Sequence, residues 1–100
     1  MIRHIVWWTL KEEAEGNSGV ENALKLKTIL DELATLPGLA GFEVSVRFLP
    51  SCTEEVAVIL QSTHNTLADF HAYMEDPAHR DVVDFARKVI TARKAIDYEM

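Results

Sequence analysis

The sequence predicts an α+β fold in which helices cover one face of a four-stranded antiparallel sheet. The prediction begins from segments with helical spacing of apolar residues, which alternate with segments rich in β-branched and aromatic residues. Residues typical of turns and helix caps stand between these segments. The chain has 100 residues, 48% hydrophobic and 26% charged, which indicates one globular domain over residues 1–100.

The first half of the chain predicts a strand, a helix and a second strand. Ile2–Leu10 has the β-branched and aromatic composition of a strand. After Val20 the apolar residues recur at spacings of three and four, so we expect an amphipathic helix that ends at Pro37-Gly38. In Phe42–Phe48 apolar and polar residues alternate, which indicates a strand with one buried face.

The second half predicts a strand, a helical region and a last strand. Glu55–Thr63 follows the previous strand after a short connection, so the two are expected to pair antiparallel. Asn65 or Thr66 is a suitable helix cap, and Asp76-Pro77 restarts the helix because Asp caps well and Pro is favoured at the first helical position. Ala95–Met100 completes the order βαββαβ, which is that of ferredoxin-like folds.

Charge and cysteine content exclude several functional classes. The net charge of −6 argues against nucleic acid and against anionic membranes as partners, since both require a basic surface. Cys52 is the only cysteine, and neither a signal peptide nor a membrane-spanning apolar segment is recognised. We therefore expect a cytoplasmic protein.

The first predicted strand is apolar on both faces, which points to a homodimer. Ile2, Val6 and Trp8 face one way, whereas Ile5 and Trp7 face the other. The helices of so short a chain cover only one face of the sheet. A second copy of the chain, related by a two-fold axis, is the simplest cover for the other face.

Four polar residues are candidates for chemistry. His79 shares a helix stripe with Val82 and lies in the first helical turn, where the helix dipole favours the neutral imidazole that acts as a base. Its alternative role is that of a core histidine. His4 and Tyr73 reach the same space if the His4 face of the strand looks toward the helices, and Asp97 could orient an imidazole or simply be solvated. No metal-ligand spacing or cofactor motif is recognised.

Three stretches resemble the stress-responsive dimeric α/β-barrel (Dabb) family: Ile2-Arg3-His4-Ile5-Val6, Ala72 to His79, and Ile96-Asp97-Tyr98. This resemblance implies a ferredoxin-like chain that pairs sheet to sheet with a second copy to form a barrel. For a small-ligand site, the candidate apolar residues on the predicted strand face and helix stripes are Val6, Trp8, Phe70, Met74 and Val82.

One plant member of that family is a cofactor-free enzyme that closes linear polyketides by aldol chemistry. Its catalytic histidine and tyrosine match His79 and Tyr73, its strand histidine matches His4, and its C-terminal acid matches Asp97. The resemblance thus implies His79 as base, Asp97 as the group that orients it, and Tyr73 as donor to an oxyanion. Two positions depart from the usual family pattern: Asp76 and His64.

Three functions agree with the sequence. The first, which we favour, is a homodimeric barrel that binds a small apolar or aromatic molecule in a stress-related role, with no assigned reaction. The second is a cofactor-free cyclase, lyase or monooxygenase with His79 as base. The third is a purely structural protein. The second needs a cavity of a few hundred Å3 that touches both His79 and Tyr73, and the third predicts that no such cavity exists.

Overall fold

The computed structural model describes residues 1–100 and contains six strands and three α-helices. In chain order these are β1 (Ile2–Leu10), β2 (Glu13–Ala14), β3 (Asn17–Ser18), α1 (Gly19–Asp31), β4 (Leu39–Ser45), β5 (Val58–His64), α2 (Leu67–Glu75), α3 (Pro77–Val89) and β6 (Ile90–Glu99). A 3-10 helix, Glu32–Thr35, follows α1 directly. No helix is long and apolar enough to cross a membrane.

The main sheet has the strand order β4-β5-β1-β6, and every neighbouring pair is antiparallel. This arrangement confirms the predicted ferredoxin-like fold. Strands β2 and β3 form a separate small hairpin within the segment that the sequence predicts to be a loop. The connection from β4 to β5 is longer than a tight hairpin turn, although the pairing is antiparallel as expected.

The last strand is longer than the sequence predicts, because pairing and not composition defines its start. It begins at Ile90 instead of Ala95, and it pairs with β1 from Ile90 opposite Leu10 to Glu99 opposite Ile2. Strand β4, in contrast, is shorter than predicted at its C-terminal end, since it ends at Ser45 instead of Phe48. The apolar residues beyond its end extend past the paired part of the sheet.

Side-chain caps define the helix starts. Ser18 caps α1 by accepting from the backbone N–H of Glu21, whose carboxylate in turn accepts from the backbone N–H of Ser18. The predicted caps of the later helices are confirmed: Thr66 begins α2 and Asp76 begins α3, with Pro77 in its first turn. Asp76 therefore separates α2 from α3 and determines where the first turn of α3 lies.

The two faces of the sheet differ in their cover. Alternate residues of β1 are buried beneath the helices, whereas Ile5 and Trp7 on the other face are only half-buried. Cross-strand neighbours extend this apolar character, since Ile5 lies opposite Ile96 and Trp7 lies opposite Ile59. We call this second surface the outer face and define it by Ile5, Trp7, Ile59, Ile96 and Tyr98.

Candidate functional site

A cavity of about 370 Å3 lies between α3 and the covered face of the sheet. Strand β1 supplies its floor, α3 supplies the opposite wall, and β6 and the end of α2 close the sides. Ten of its fourteen lining residues are hydrophobic, which is typical of a small-molecule site with a few polar groups. The lining residues are His4, Val6, Trp8, Leu30, Leu60, Tyr73, Met74, His79, Val82, Val83, Ala86, Arg87, Ile90 and Arg93.

His4 lies on the covered face and forms a hydrogen-bonded pair with Asp97. The two residues are opposite each other in the pairing of β1 with β6, and Nδ1 of His4 donates to a carboxylate oxygen of Asp97. His4 is 1% exposed, whereas the Asp97 side chain is 46% exposed. A carboxylate bound to Nδ1 holds the ring in one orientation and one tautomer. The strand register thus supplies an oriented imidazole in the floor of the cavity.

Tyr73 lines the cavity and carries a buried hydroxyl. The residue is 2% exposed, and its hydroxyl has no hydrogen-bond partner in the protein. Burial raises the pKa of this phenol above its usual value, so the group stays protonated and acts as a donor. A buried hydroxyl without a partner costs about 1–3 kcal/mol. A ligand oxygen in the cavity would remove that cost by accepting this hydrogen bond.

His79 lies in the first turn of α3 and packs its ring edge-on against Tyr73, with ring centroids 5.0 Å apart. Burial lowers the pKa of His79 below its ordinary value of 6.5, and the nearby His4 and Arg93 lower it further, whereas Asp76 acts in the opposite direction. The imidazole is therefore biased toward its neutral form at pH 7, and a neutral imidazole can accept a proton.

Four aromatic rings pack against one another in one continuous row, and the rings at its two ends, His4 and Tyr73, belong to residues that line the cavity. His4 packs against Phe70 at 5.2 Å, Phe70 against His64 at 5.2 Å, and His64 against Tyr73 at 5.0 Å between centroids. His64 is fully buried, with its ring nitrogens bonded to the carbonyl of Gly38 and to the hydroxyl of Ser62. This row fixes the positions of the rings that face the cavity.

The backbone conformation of Gly38 directs its carbonyl oxygen toward the buried ring of His64, which donates a hydrogen bond to it. Its φ of 84° lies in the region that favours glycine, and an added Cβ would stand 3.1 Å from Cβ of Asp69. The His64 Nδ1–H donates to this carbonyl over 3.2 Å, and Nε2 accepts from the Ser62 hydroxyl over 2.9 Å. Both nitrogens are satisfied by a neutral ring, and burial lowers the pKa of His64 accordingly.

The structure brings together most of the residues predicted for the site. Val6, Trp8, Met74 and Val82 line the cavity as predicted, together with His4, Tyr73 and His79. Two of the predicted residues are placed differently. Phe70 lies behind the cavity in the row of rings, and Asp97 contacts His4 instead of orienting His79, because the β1–β6 register places it opposite His4.

Two arginines were missed by the sequence predictions. Arg87 and Arg93 both line the cavity. Arg87 stands eight residues after His79 on α3 and so shares its stripe, a signal that the helical spacing contains. Arg93 lies on β6 opposite Trp8, in a segment that the sequence did not predict to be a strand. No three His, Cys, Asp or Glu side chains are grouped so that they could hold a metal ion.

Comparison with solved structures shows the same fold in proteins of different descriptions. A dimeric ferredoxin-like protein of unknown function from Thermobifida fusca has a TM-score of 0.81 and 19% identity, covering 99% of this chain and 90% of that one. Hydroxynitrile lyase from Passiflora edulis has a TM-score of 0.78 and 15% identity, covering 99% and 92%. These identities show a shared fold and nothing more.

A dabb family protein with a ferredoxin-like fold from Mesorhizobium loti is 25% identical, with a TM-score of 0.66 over 99% of this chain and 95% of that one. No curated protein sequence matches significantly. The model of the stress responsive A/B barrel domain family, Dabb, matches residues 2–100. The chain therefore belongs to the Dabb family.

Proposed function

We propose that this chain is a homodimer that binds a small, mainly apolar molecule with an oxygen acceptor in the cavity under α3. The observation that carries the proposal is the hydroxyl of Tyr73, a residue of the mainly apolar cavity wall, which is buried, protonated and without a protein partner. Buried polar groups usually have partners, and a ligand oxygen would supply one here.

The single cysteine, Cys52, is a free thiol, which supports a cytoplasmic location.

The outer face supports the dimer. Ile96 is 54% exposed and Tyr98 is 43% exposed, beside the half-buried Ile5, Trp7 and Ile59. Contiguous apolar surface of this kind is uncommon on monomers, and a two-fold contact of sheet on sheet would cover it in both copies at once. The solved relatives described as dimeric share this fold, which supports the same arrangement here.

A neutral two-ring phenol, 4-phenylphenol, is a suitable probe of the cavity. Its rings match the apolar wall, and its oxygen can accept from Tyr73. We expect saturable binding by isothermal titration calorimetry, and we expect Val83→Trp to abolish it, because Val83 lines the cavity and the indole would fill it. Asp84→Trp is the matched control, since the neighbouring residue is exposed and lies outside the cavity.

The two variants separate binding in the cavity from binding elsewhere. Retention of affinity in Asp84→Trp together with its loss in Val83→Trp supports the proposal. Equal affinity of both variants and the unmodified chain would place the phenol on some other surface, and absence of binding to the unmodified chain would equally count against the proposal. Circular dichroism of each variant checks that the fold is retained.

A second candidate function is cofactor-free acid–base catalysis, in which His79 takes a proton from a carbon next to a carbonyl while Tyr73 donates to the carbonyl oxygen. The packing of the two rings at 5.0 Å, with His79 biased neutral and Tyr73 protonated, favours this function over a purely structural one. The likeness to a hydroxynitrile lyase is one of fold, and it adds plausibility only. The monooxygenase alternative stays a prediction.

Deuterium exchange tests the second candidate directly. In D2O, the methyl protons of 4-acetylbiphenyl should exchange faster with the protein than without it, as measured by proton NMR. His79→Gln should remove the acceleration, and Tyr73→Phe should reduce it by about a hundredfold or more, as loss of one oxyanion donor does. Exchange at the uncatalysed rate with ligand bound would leave binding as the function.

A further inference from the structure

Two cationic side chains line the cavity near the junction of α3 and β6. Arg87 is in the last turn of α3 and Arg93 is near the start of β6, so the chain reversal at Ile90 brings both to the cavity wall. Neither forms an ion pair with a carboxylate of the chain. A chain with a net charge of −6 thus presents two exposed guanidinium groups, neither in an ion pair, at a mainly apolar cavity. This is the arrangement expected where an anion is bound.

The backbone positions of the arginines lie toward the opposite end of the cavity from those of the imidazoles. The N–H of Lys11, just after β1, donates to the carbonyl of Val89 at the end of α3, so β1 and α3 run toward the same end. From His79 to Arg87 the helix rises about 12 Å. From His4 to Trp8, which lies opposite Arg93, the strand rises about 14 Å.

Between the two polar ends the wall is apolar. Val6 stands between His4 and Trp8 on the strand, and Val82, Val83 and Ala86 stand between the polar residues of α3. The cavity is therefore polar at both ends and apolar in the middle. A ligand complementary to it has one polar atom at each end of an apolar body.

From this geometry we infer that the ligand is an elongated organic acid, with its carboxylate on Arg87 and Arg93 and an oxygen at the Tyr73 end. The inference rests on the proposed binding function and names the ligand class for it. Guanidinium groups bind carboxylates with two parallel hydrogen bonds, so a pair of them recognises an acid with defined geometry. The effect of Arg93 on the pKa of His79 agrees with its charge being felt inside the cavity.

A simpler role for Arg87 is stabilisation of α3, since a cation in the last turn of a helix interacts favourably with the helix dipole. Lys88 occupies the same turn but does not line the cavity. The dipole role predicts that Arg87 and Lys88 contribute alike to the stability of α3. It also predicts that neither residue affects whether the cavity prefers a charged or a neutral ligand. The acid-binding role predicts a difference between them, which makes Lys88 the matched control.

The test compares 4'-hydroxybiphenyl-4-carboxylate with its neutral primary amide, which has nearly the same shape, by calorimetry at low and high salt. We expect the acid to bind about tenfold tighter than the amide, the effect of one charge-assisted hydrogen-bond pair. Arg87→Gln and Arg93→Gln should each reduce this preference several-fold, whereas Lys88→Gln should preserve it. Affinity for 4-phenylphenol should be unchanged in Lys88→Gln, and for the two arginine variants the measured quantity is the ratio of acid to amide affinity within each variant.

The outcomes distinguish this inference from the function on which it rests. Binding of 4-phenylphenol with equal affinity for acid and amide would overturn the acid-binding role and leave the cavity function intact. A preference for the acid that persists in both arginine variants would also overturn it, because the anion would then be bound elsewhere. Absence of 4-phenylphenol binding would instead count against the proposed function itself.

Discussion

The two faces of the sheet use the same strands for different purposes. The covered face buries polar side chains among apolar ones, and each of its buried histidines has partners: His4 with Asp97, and His64 with Ser62 and Gly38. The outer face has apolar residues with no cover in the single chain, and the buried Nε1 of Trp7 has no hydrogen-bond partner there. Alternation along one strand thus separates the proposed ligand site from the proposed subunit contact.

The largest expected effect comes from a charge on the outer face. Ile96→Glu would bury one unpaired carboxylate per subunit in the proposed contact, so the dimer should weaken by about 3 kcal/mol or more, roughly a hundredfold in its dissociation constant. Size-exclusion chromatography with light scattering measures the mass. Ala95→Glu is the control, because Ala95 is exposed on the same strand but faces the other way.

A dimer that persists in Ile96→Glu at micromolar concentration would contradict the proposal that the outer face forms the subunit contact. So would a monomeric unmodified chain. Dissociation by Ala95→Glu and not by Ile96→Glu would reverse the assignment of the two faces.

The covered face should make stability depend on pH. Burial lowers the folded-state pKa of both His64 and His79 below 6.5, so the unfolded chain binds protons first as the pH falls. The free energy of unfolding therefore has its full value above pH 6.5 and decreases as the pH falls below 6.5. For each histidine the total decrease is about 1.4 kcal/mol per unit by which its pKa in the folded chain lies below its pKa in the unfolded chain. Urea unfolding between pH 7.5 and 5 measures this slope.

Substitution of one histidine at a time shows which residue causes the pH dependence of the free energy of unfolding. His64→Gln should flatten it, whereas His71→Gln should leave it unchanged, because His71 is exposed on α2. Equal slopes for the two variants and the unmodified chain would show that the buried ring of His64 does not govern the acid sensitivity.

A smaller effect, with opposite signs for folding and binding, is expected at Tyr73. Tyr73→Phe removes a buried hydroxyl without a partner, so the free energy of unfolding should rise by about 1 kcal/mol. Affinity for 4-phenylphenol should fall by about fivefold, as one neutral hydrogen bond is lost. Chemical denaturation and calorimetry measure the two quantities. A variant that is both less stable and equally able to bind would contradict the assigned role.

Local sequence patterns predicted the fold and much of the site. Alternation in β1 identified both faces, and Thr66 and Asp76 identified the helix starts, because these signals depend on neighbouring residues only. The helical spacing of His79 and Val82 likewise placed both in the wall of the cavity.

Most of the errors depend on packing or pairing between distant segments. The partner of Asp97 is decided by the β1–β6 register, and the position of Phe70 is decided by how α2 packs on β5, neither of which appears in local spacing. Arg93 was missed because β6 begins before its composition becomes that of a strand. Arg87 could have been found, since it continues the stripe of His79.

The most direct test of the central claim observes the histidine rings during ligand titration. In protein labelled with 15N-histidine, the ring signals of His4 and His79 should shift saturably with 4-phenylphenol, while those of His71, exposed outside the cavity, stay fixed. Shifts confined to His71, or none at any residue while calorimetry detects binding, would show that the cavity under α3 is not the ligand site.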